Sequence, residues 1–583
     1  MSRILSLMLV VACLALLAGP LATAPTALAQ GIDPATLIPA SVAAYAEVRV
    51  DENLEANLQD LVRIGARLSG DTPRQAEAAA AEVSFDAALG EVFPNIDFAH
   101  DILPWLGGQA GVGFLAAPEM ADPDFVAILP ILDQDRAEAF LSGLTATFQD
   151  VTLWGDATIY SFPEHQLVVT PTAVWLGTPP AVEEALAVRD EARLPLSKLD
   201  GFTQTRLALP AGWLASLYVS GPWLNETLSQ RGSLSNAMLR PALEFALRLH
   251  PGNSRMEQAL LGEVRGLRSL GLALDLGAGR LDATALLSLE AQYPAPTLPG
   301  PPASLLGYVP GDAFLVLDSY DLGGAALHIV SLALLGPYIG NVFEQIVEGL
   351  EDTAPLTPRP TPAPPTHEEL MAQVRPFLRQ IEAVLGVPTD ELFTLLSGEY
   401  ALAFFPVDRS NLPRELRTLE AGMTLWLHTP DPARLVEVLD NAIIALEDTQ
   451  GGGAGLVRVE ETVGGVDVVT WRAEGTGGNL LTYGTLGRNT VFLTIGTDLA
   501  TIAAAARGDG TLPQSAGWPD EVMADYTASS ELLYYMDWEE AAPYLDTTYD
   551  PGLFEALIIG LDLQDDGLFS LRATLTRPPE GDR

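Results

Sequence analysis

Four sequence blocks occur twice in this chain, in the same order, and this repetition constrains the fold more than any other feature. The first block is a proline turn that leads into an apolar segment, at residues 38–45 and again at 309–316. The other three recur as the pairs 106–114 and 396–404, 174–179 and 493–498, and 271–276 and 559–563. Such a repeat predicts that the chain folds as two tandem, diverged copies of one domain.

The spacing between corresponding blocks changes only where one copy has an insertion typical of a loop or a longer connection. The second copy contains a proline-rich tract at 355–365 and a glycine-rich loop at 451–455, and the first has a longer helical stretch at 222–266. A duplicated domain tolerates insertions at such places.

The repeat divides the chain into four segments. We interpret residues 1–29 as a signal peptide, 30–291 as the first copy, 292–302 as a proline-rich linker and 303–583 as the second copy. A linker of this composition is stiff. The sequence leaves open whether the two copies pack together or are held apart.

Within each copy the pattern predicts a strand, helices, two strands, a helix, two strands, a helix, a strand, helices and a hairpin. Leu54, Leu58 and Leu61 recur at helical spacing. The segments Val112–Leu115 and Val168–Leu176 have the β-branched and apolar composition of strands. Because short turns join neighbouring strands, the sheet should be mostly antiparallel with helices on one face, which is an α+β architecture.

The N-terminus predicts export. Arg3 precedes the apolar run Ile4–Leu17, and residues 27–29 (Ala-Leu-Ala) form a small-x-small cleavage motif. The alternative is a lipoprotein signal at Cys13, but the apolar run continues beyond this cysteine. We therefore expect cleavage after Ala29 and an extracytoplasmic or secreted mature protein.

The charge and the cysteine content limit the possible partners and chemistry. The chain has 31 Lys+Arg against 76 Asp+Glu, a formal net charge of −45 at pH 7. This charge repels phosphate backbones, so no nucleic-acid partner is expected. Cys13 is the only cysteine, and its removal with the signal peptide would exclude disulfides, thiol catalysis and cysteine metal sites.

A second apolar segment, Gly323–Gly340, is near the lower length limit for a membrane span and contains His328 and Pro337. We interpret it as a buried or groove-facing helix, so no transmembrane anchor is expected in the mature chain. The segment makes an apolar ligand one candidate partner, and an envelope protein is another.

A search for catalytic, cofactor and metal motifs finds only near misses. Residues 367–371 (HEELM) lack the second histidine of a zinc-protease helix and predict a helix start. Residues 562–567 (DLQDDG) predict a hairpin turn, because Ala573 stands where a calcium loop requires glutamate. No two histidines have ligand spacing; they are His100, His165, His250, His328, His367 and His428. No catalytic, cofactor-binding or metal-binding residue is therefore predicted.

The strongest local feature is a glycine turn at Gly107, Gly108 and Gly398. It could let a ligand approach the backbone. We favour a structural explanation, a positive φ angle at the entry to a strand.

Several of these motifs occur together: the first strand entered from proline, the Leu-Pro-Trp-Leu-Gly-Gly turn at Leu103–Gly108, the segment Asp133–Phe140, and the later Leu-Gly-Thr-Pro turn. Together they resemble an uncharacterised bacterial family of exported proteins known only as a domain of unknown function. The resemblance is better in residues 37–220 than in the second copy, where Ser397 replaces the first glycine. It implies the fold and the exported location, and it adds no chemistry.

These observations favour a non-enzymatic exported envelope protein that acts as a binding or scaffold module. Two alternatives stay open. One is an exported hydrolase with an unrecognised carboxylate-based site, and the other is an acidic cation-binding surface protein.

Overall fold

The structure is a computed structural model, and it describes only part of the chain. The described residues are 32–68, 72–85, 97–115, 124–145, 151–162, 164–210, 212–223, 267–277, 279–289, 304–326, 367–407, 412, 418–449, 456–473, 479–515, 517–544, 554–563 and 568–577. The expected signal peptide, linker, proline-rich tract and glycine-rich loop lie outside these residues, as do 224–266 and 327–340.

The described part of the first half contains strands β1 to β10 and helices α1 to α5. The strands are β1 (Val42–Arg49), β2 (Gln109–Leu115), β3 (Phe125–Pro130), β4 (Val151–Trp154), β5 (Ala157–Ser161), β6 (Gln166–Val169), β7 (Ala173–Gly177), β8 (Ala215–Ser220), β9 (Leu267–Gly277) and β10 (Arg280–Leu289). The helices are α1 (Leu54–Leu68), α2 (Pro73–Ala81), α3 (Gln134–Thr145), α4 (Pro179–Arg189) and α5 (Asp200–Ala208).

The described part of the second half contains strands β11 to β20 and helices α6 to α11. The strands are β11 (Leu315–Tyr320), β12 (Glu399–Pro406), β13 (Ala421–His428), β14 (Leu456–Val463), β15 (Val466–Ala473), β16 (Asn479–Leu486), β17 (Thr490–Ile495), β18 (Leu532–Asp537), β19 (Ala556–Leu563) and β20 (Leu568–Thr576). The helices are α6 (His367–Leu385), α7 (Thr389–Leu395), α8 (Pro432–Thr449), α9 (Leu499–Ala505), α10 (Asp520–Ser529) and α11 (Trp538–Ala541).

All described strand pairings are antiparallel, and they follow one pattern in both halves. The first half is ordered β4-β5-β6-β7-β3-β2-β1-β8-β9-β10. The second is ordered β14-β15-β16-β17-β13-β12-β11-β18-β19-β20. The halves join where Arg280–Ser288 of β10 pairs with Leu568–Thr576 of β20. One continuous sheet of 20 strands results.

Helices pack on both faces of the sheet, which corrects the expectation of a single helical face. Val174 and Trp175 are neighbours in β7, so their side chains point to opposite faces, and both are buried. Val174 packs with Leu58 of α1 and Leu141 of α3, whereas Trp175 packs with Phe202 of α5. The α+β class and the antiparallel sheet are confirmed. Two helical layers form because consecutive strand residues are apolar towards both faces.

The element order also differs from the prediction: two helices, α4 and α5, precede β8 where one was predicted, and the strands before them differ in number. Four strands, β4 to β7, lie between α3 and α4, where two were predicted. The predicted single strand Val168–Leu176 is broken into two because Thr170 closes a turn. The Thr170 hydroxyl accepts a hydrogen bond from the Ala173 amide at 3.0 Å and donates one to the Ala173 carbonyl at 2.8 Å. Pro171 has no amide hydrogen to offer a ladder.

The glycine turn has a structural role, but the predicted reason is wrong. Neither Gly107, Gly108 nor Gly398 has a positive φ angle. A Cβ atom on Gly107 would instead lie 2.8 Å from the Pro130 Cβ, and one on Gly398 would overlap the carbonyl oxygen of His428. Gly107 and Gly398 are needed because the chain passes close to the neighbouring strand at these two positions.

Candidate functional site

The continuous sheet has two outer strands. In the described residues β4 is hydrogen-bonded to β5 alone, and β14 to β15 alone. We call β4 (Val151–Trp154) the first edge and β14 (Leu456–Val463) the second edge. The outer backbone groups of such strands can pair with another chain.

The first edge is apolar and exposed. All four of its residues are exposed, and the exposed fractions are 76% for Leu153, 49% for Trp154 and 46% for Val151. An exposed apolar edge strand without charges is uncommon, because such strands promote aggregation unless they have a binding role.

Helix α4 holds the first edge in place. The Trp154 indole nitrogen donates a hydrogen bond to the Asp190 carboxylate at 3.0 Å, and this contact lowers the pKa of Asp190. Arg189, the last residue of α4, forms ion pairs with Asp156 at 3.3 Å and with Asp190 at 3.2 Å. Gly155 permits the tight turn into β5 through its φ angle of +62°.

The second edge has polar residues at three of the four corresponding positions, residues 460–462. Two-residue turns follow both edges, so Trp154 of β4 corresponds to Val463 of β14. Counting back along each strand, Leu153 corresponds to Thr462 and Val151 to Glu460. Arg458 on the second edge also pairs with Asp440 of α8 at 3.0 Å. Charged side chains protect an edge strand from further pairing, so the second edge is protected and the first is not.

A second feature of the sheet is a buried acidic residue in the inner strand of each half. Glu47 of β1 is 2% exposed, and Asp318 of β11 is 0% exposed. Glu47 lies opposite Gly111 of β2, and Asp318 lies opposite Ala401 of β12. The two acids therefore occupy corresponding positions in the two halves.

In the first half this acid has a cationic partner. Arg206 of α5 forms an ion pair with Glu47 at 3.2 Å and a shorter one with Asp33 at 2.7 Å. Burial raises the pKa of Glu47 to about 7, and the charge of Arg206 opposes this rise. Burial also raises the pKa of Tyr45, the neighbouring phenol.

In the second half the corresponding acid has no such partner. Neither carboxylate oxygen of Asp318 has a hydrogen-bond partner within the described part of the chain. Burial, with the nearby charge of Glu399, raises the pKa of Asp318 well above its usual range, and the backbone amide of Ser319 opposes this rise only in part. Glu399 itself is held in place: the Leu305 amide donates to it at 2.8 Å, the Ser304 hydroxyl also donates to it, and His428 lies 3.4 Å away.

A small cavity of about 190 Å³ lies between β16, β17 and the start of α9. Thr482, Thr494 and Thr497 line it together with several leucines. Ligand pockets for drug-sized molecules usually measure about 300–1,000 Å³, so this cavity offers little support for an apolar ligand.

The residues considered in the sequence search do not converge on one site. His100 pairs with Asp97 on the surface, His165 contacts the Phe125 ring, and His428 lies beside Glu399. His250 and His328 lie outside the described residues. His367 begins α6, as predicted. Strands β19 and β20, on either side of the predicted turn, pair in antiparallel orientation, and residues 564–567 lie outside the described residues.

Sequence reasoning did not identify Glu47, Asp318 or β4 as noteworthy. The available signal was a carboxyl residue within a predicted, mainly apolar strand of each copy. Over the residues described here, no cluster of three or more His, Cys, Asp or Glu side chains is arranged to hold a metal ion. Within the same residues, no helix combines the length and apolar character needed to span a membrane.

Comparison with known proteins gives one family match. A family model described as "Protein of unknown function (DUF3352)" matches residues 5–559. No curated protein matches the chain. Similar solved structures include crystal forms I, III and IV of TP0453, which are 11–12% identical, cover 44% of this chain and 79–81% of their own, and have TM-scores of 0.23–0.24. Similarity at this level carries no argument about fold or function.

Proposed function

On the premise that this chain belongs to the DUF3352 family of proteins of unknown function, we propose that it is a non-enzymatic exported protein that binds an envelope partner at the first edge. The proposal rests on the exposure and the unpaired outer side of β4. Its four residues are exposed, three of them are apolar, and its outer side pairs with no described strand.

The exported location is supported by the N-terminal sequence, which has the charge, apolar run and small-x-small motif of a signal peptide. N-terminal sequencing of the protein recovered from the cell envelope should give Gln30 as the first residue. A chain that retains Met1, or one that carries a lipid on Cys13, would contradict cleavage after Ala29.

The scaffold role is supported by the correspondence of the two halves, which we regard as copies of one unit. Each strand pairing in the first half has its counterpart in the second, and the β10–β20 ladder makes the two sheets continuous. A continuous ladder of backbone hydrogen bonds holds its outer strands at a fixed separation, which suits a protein that presents an edge to a partner.

The binding mode that fits this edge is strand addition, in which an extended segment of the partner pairs with the outer side of β4. Exposed Val151 and Leu153 lie on the same face of β4 and would contact apolar side chains at alternate positions of that segment. The segment should carry positive charge, because the chain has a net charge of −45 and the Asp156 and Asp190 carboxylates flank β4.

A binding experiment with a defined peptide tests the proposal. The probe is a fluorescent eight-residue peptide of alternating valine and arginine, and its control has proline at two central positions. Leu153→Lys in the mature chain should weaken binding at least about tenfold, because burial of a leucine contributes about 1.5–3 kcal/mol. Thr462→Lys adds the same charge at the corresponding position of the second edge, so it controls for charge and should leave binding unchanged.

Two results would contradict binding at the first edge. One is equal affinity of wild type and Leu153→Lys for the peptide. The other is equal affinity of wild type for the peptide and its proline control, because proline cannot donate to a strand ladder.

A further inference from the structure

The buried acid of the second half differs from its counterpart in its lack of a partner. Asp318 is fully buried, and neither of its carboxylate oxygens is hydrogen-bonded to a described residue. A buried polar group without a partner is costly, and an ionised one is far more so. The neutral, protonated form of Asp318 is therefore the form that this position accommodates.

The loss of the cationic partner can be traced to one position. Residues 201–209 of the first half and 522–530 of the second have the same sequence of buried and exposed positions. The Leu209 amide at the end of α5 donates to the Thr205 carbonyl. In the same way, the Ser530 amide at the end of α10 donates to the Tyr526 carbonyl. Arg206 therefore corresponds to Thr527, whose hydroxyl donates to the Met523 carbonyl within its own helix at 2.9 Å.

The groups around Asp318 offer no compensating positive charge. On its own strand lie Tyr320 and Ser319, and the backbone amide of Ser319 is a neutral donor that lowers the pKa of Asp318. On β12 lie Glu399, which is acidic, and Tyr400. On β18, Leu533 lies opposite Asp318, and the Tyr535 hydroxyl is directed to the Gly517 carbonyl.

The remaining polar groups near Asp318 belong to helix α10, to Arg572, which lies beside that helix, and to His428. The Tyr526 hydroxyl is hydrogen-bonded to Thr574 at 2.8 Å. The guanidinium of Arg572 lies over the Tyr526 ring, 4.8 Å from its centroid, and donates to Ser530 at 3.3 Å. His428 lies behind Glu399 and pairs with that carboxylate. Each of these groups is therefore engaged with a residue other than Asp318.

We propose that the second half binds a structural proton at Asp318, and that β11 separates from β12 and β18 more readily once this proton is lost. In the first half burial also raises the pKa of Glu47, but Arg206 stabilises the charged form of that acid, and Asp318 has no such counter-charge. Raised pH should therefore weaken the pairing of β11 with its two neighbouring strands more than the pairing of β1 with its own.

The direction of the effect follows from proton linkage. The folded state holds the Asp318 proton more tightly than the unfolded chain does, so opening of β11 is least favourable at pH values below about 4. Above that value the opening equilibrium should rise by up to about tenfold per pH unit, until the folded carboxyl itself ionises.

Hydrogen exchange of the full mature chain tests this, with peptides that cover β11 and β1 measured from pH 5 to pH 9 and corrected for intrinsic exchange. Protection of β11 should fall with pH in the wild type. Asp318→Asn keeps the shape of the side chain without a titrating group and should remove this fall. Thr527→Arg supplies the missing guanidinium and should reduce it.

A second measurement needs no variant to fold. The infrared spectrum of the wild type at pH 8, where Glu47 is mostly ionised, should contain the carbonyl band of a protonated, buried carboxylic acid, and this band should disappear at higher pH together with β11 protection. The proposal is overturned by β11 protection that does not change with pH, by a pH-dependent fall that persists in Asp318→Asn, or by the absence of a protonated-carboxyl band. None of these outcomes depends on peptide binding at β4.

Discussion

The two halves of the sheet have the same pairing pattern but different side chains at corresponding positions. The inner strand of the first half carries Glu47 paired with Arg206, whereas that of the second carries unpartnered Asp318. The outer strand exposes Leu153 in the first half, and Thr462 stands at that position in the second. The pairing pattern can survive these changes because backbone groups form the ladder, so the side chains are free to diverge and to give each half its own properties.

The largest effect is expected from the two buried tryptophans, Trp175 in β7 of the first half and Trp426 in β13 of the second. Trp175 lies opposite Ile128 in the first half, and Trp426 lies opposite Phe492 in the second. Either Trp→Ala substitution should cost about 4 kcal/mol, because it leaves a large cavity in a packed layer. Urea unfolding would measure it. If the halves unfold as separate units, each substitution should shift one transition, and a common shift would show that the sheet unfolds as one.

A smaller loss is expected at the glycine turn, where the halves differ in how closely the chains approach. Gly398→Ala should cost about 3 kcal/mol, because the new methyl group would overlap the backbone of His428. Gly107→Ala should cost about 1 kcal/mol, because its methyl group would meet the Pro130 side chain at 2.8 Å. Thermal melting of both variants tests this order, and equal losses would contradict it.

The buried acid of the first half should make stability depend on pH. Burial raises the pKa of Glu47 from 4.5 to about 7, so the folded state binds this proton more tightly than the unfolded chain does. Stability should therefore fall by about 2 kcal/mol as the pH rises from 5 to 7, and Glu47 should contribute no further change well above pH 7. Urea titrations of wild type and Glu47→Gln at both pH values measure this contribution. The same slope in both proteins would exclude Glu47 as its source.

Substitution of Arg206 in the first half should lower stability more than substitution of its counterpart, Thr527, in the second. Arg206→Ala should cost about 1.5 kcal/mol, since it leaves Glu47 and Asp33 without their ion pairs, although the arginine side chain is partly solvated. Thr527→Ala should stay within about 0.5 kcal/mol, because its hydroxyl bonds only to the helix that carries it. Chemical unfolding of the two variants compares the positions directly. A costly Thr527→Ala would show that this threonine has a role in the second half that its contacts do not explain.

The smallest stability effect is expected at the edges. Leu153→Lys and Thr462→Lys should each change the free energy of unfolding by less than about 0.5 kcal/mol, because both positions lie on outer strands away from the core. Light scattering should nevertheless show less self-association for Leu153→Lys than for wild type, since a lysine on an edge strand opposes further pairing. No such difference is expected for Thr462→Lys.

The sequence by itself determined the features that depend on local pattern. Leucine spacing correctly predicted α1, the polar segment at His367 correctly predicted the start of α6, and short turns correctly predicted antiparallel pairing. Each of these depends on residues within a few positions of one another, whose side-chain period or turn chemistry favours one local structure.

Only the tertiary structure decided how the halves meet, where the helices lie and which acids are buried. The β10–β20 ladder joins strands almost three hundred residues apart, and Glu47 meets Arg206 across 159 positions. Strands pair through backbone hydrogen bonds, which are the same for every residue, so the side chains of one strand do not identify its partner strand. Whether a carboxyl group is solvated, ion-paired or protonated depends on everything packed around it. Local pattern contains neither kind of information, so the unpartnered state of Asp318 and the exposed state of β4 become visible only in the folded chain.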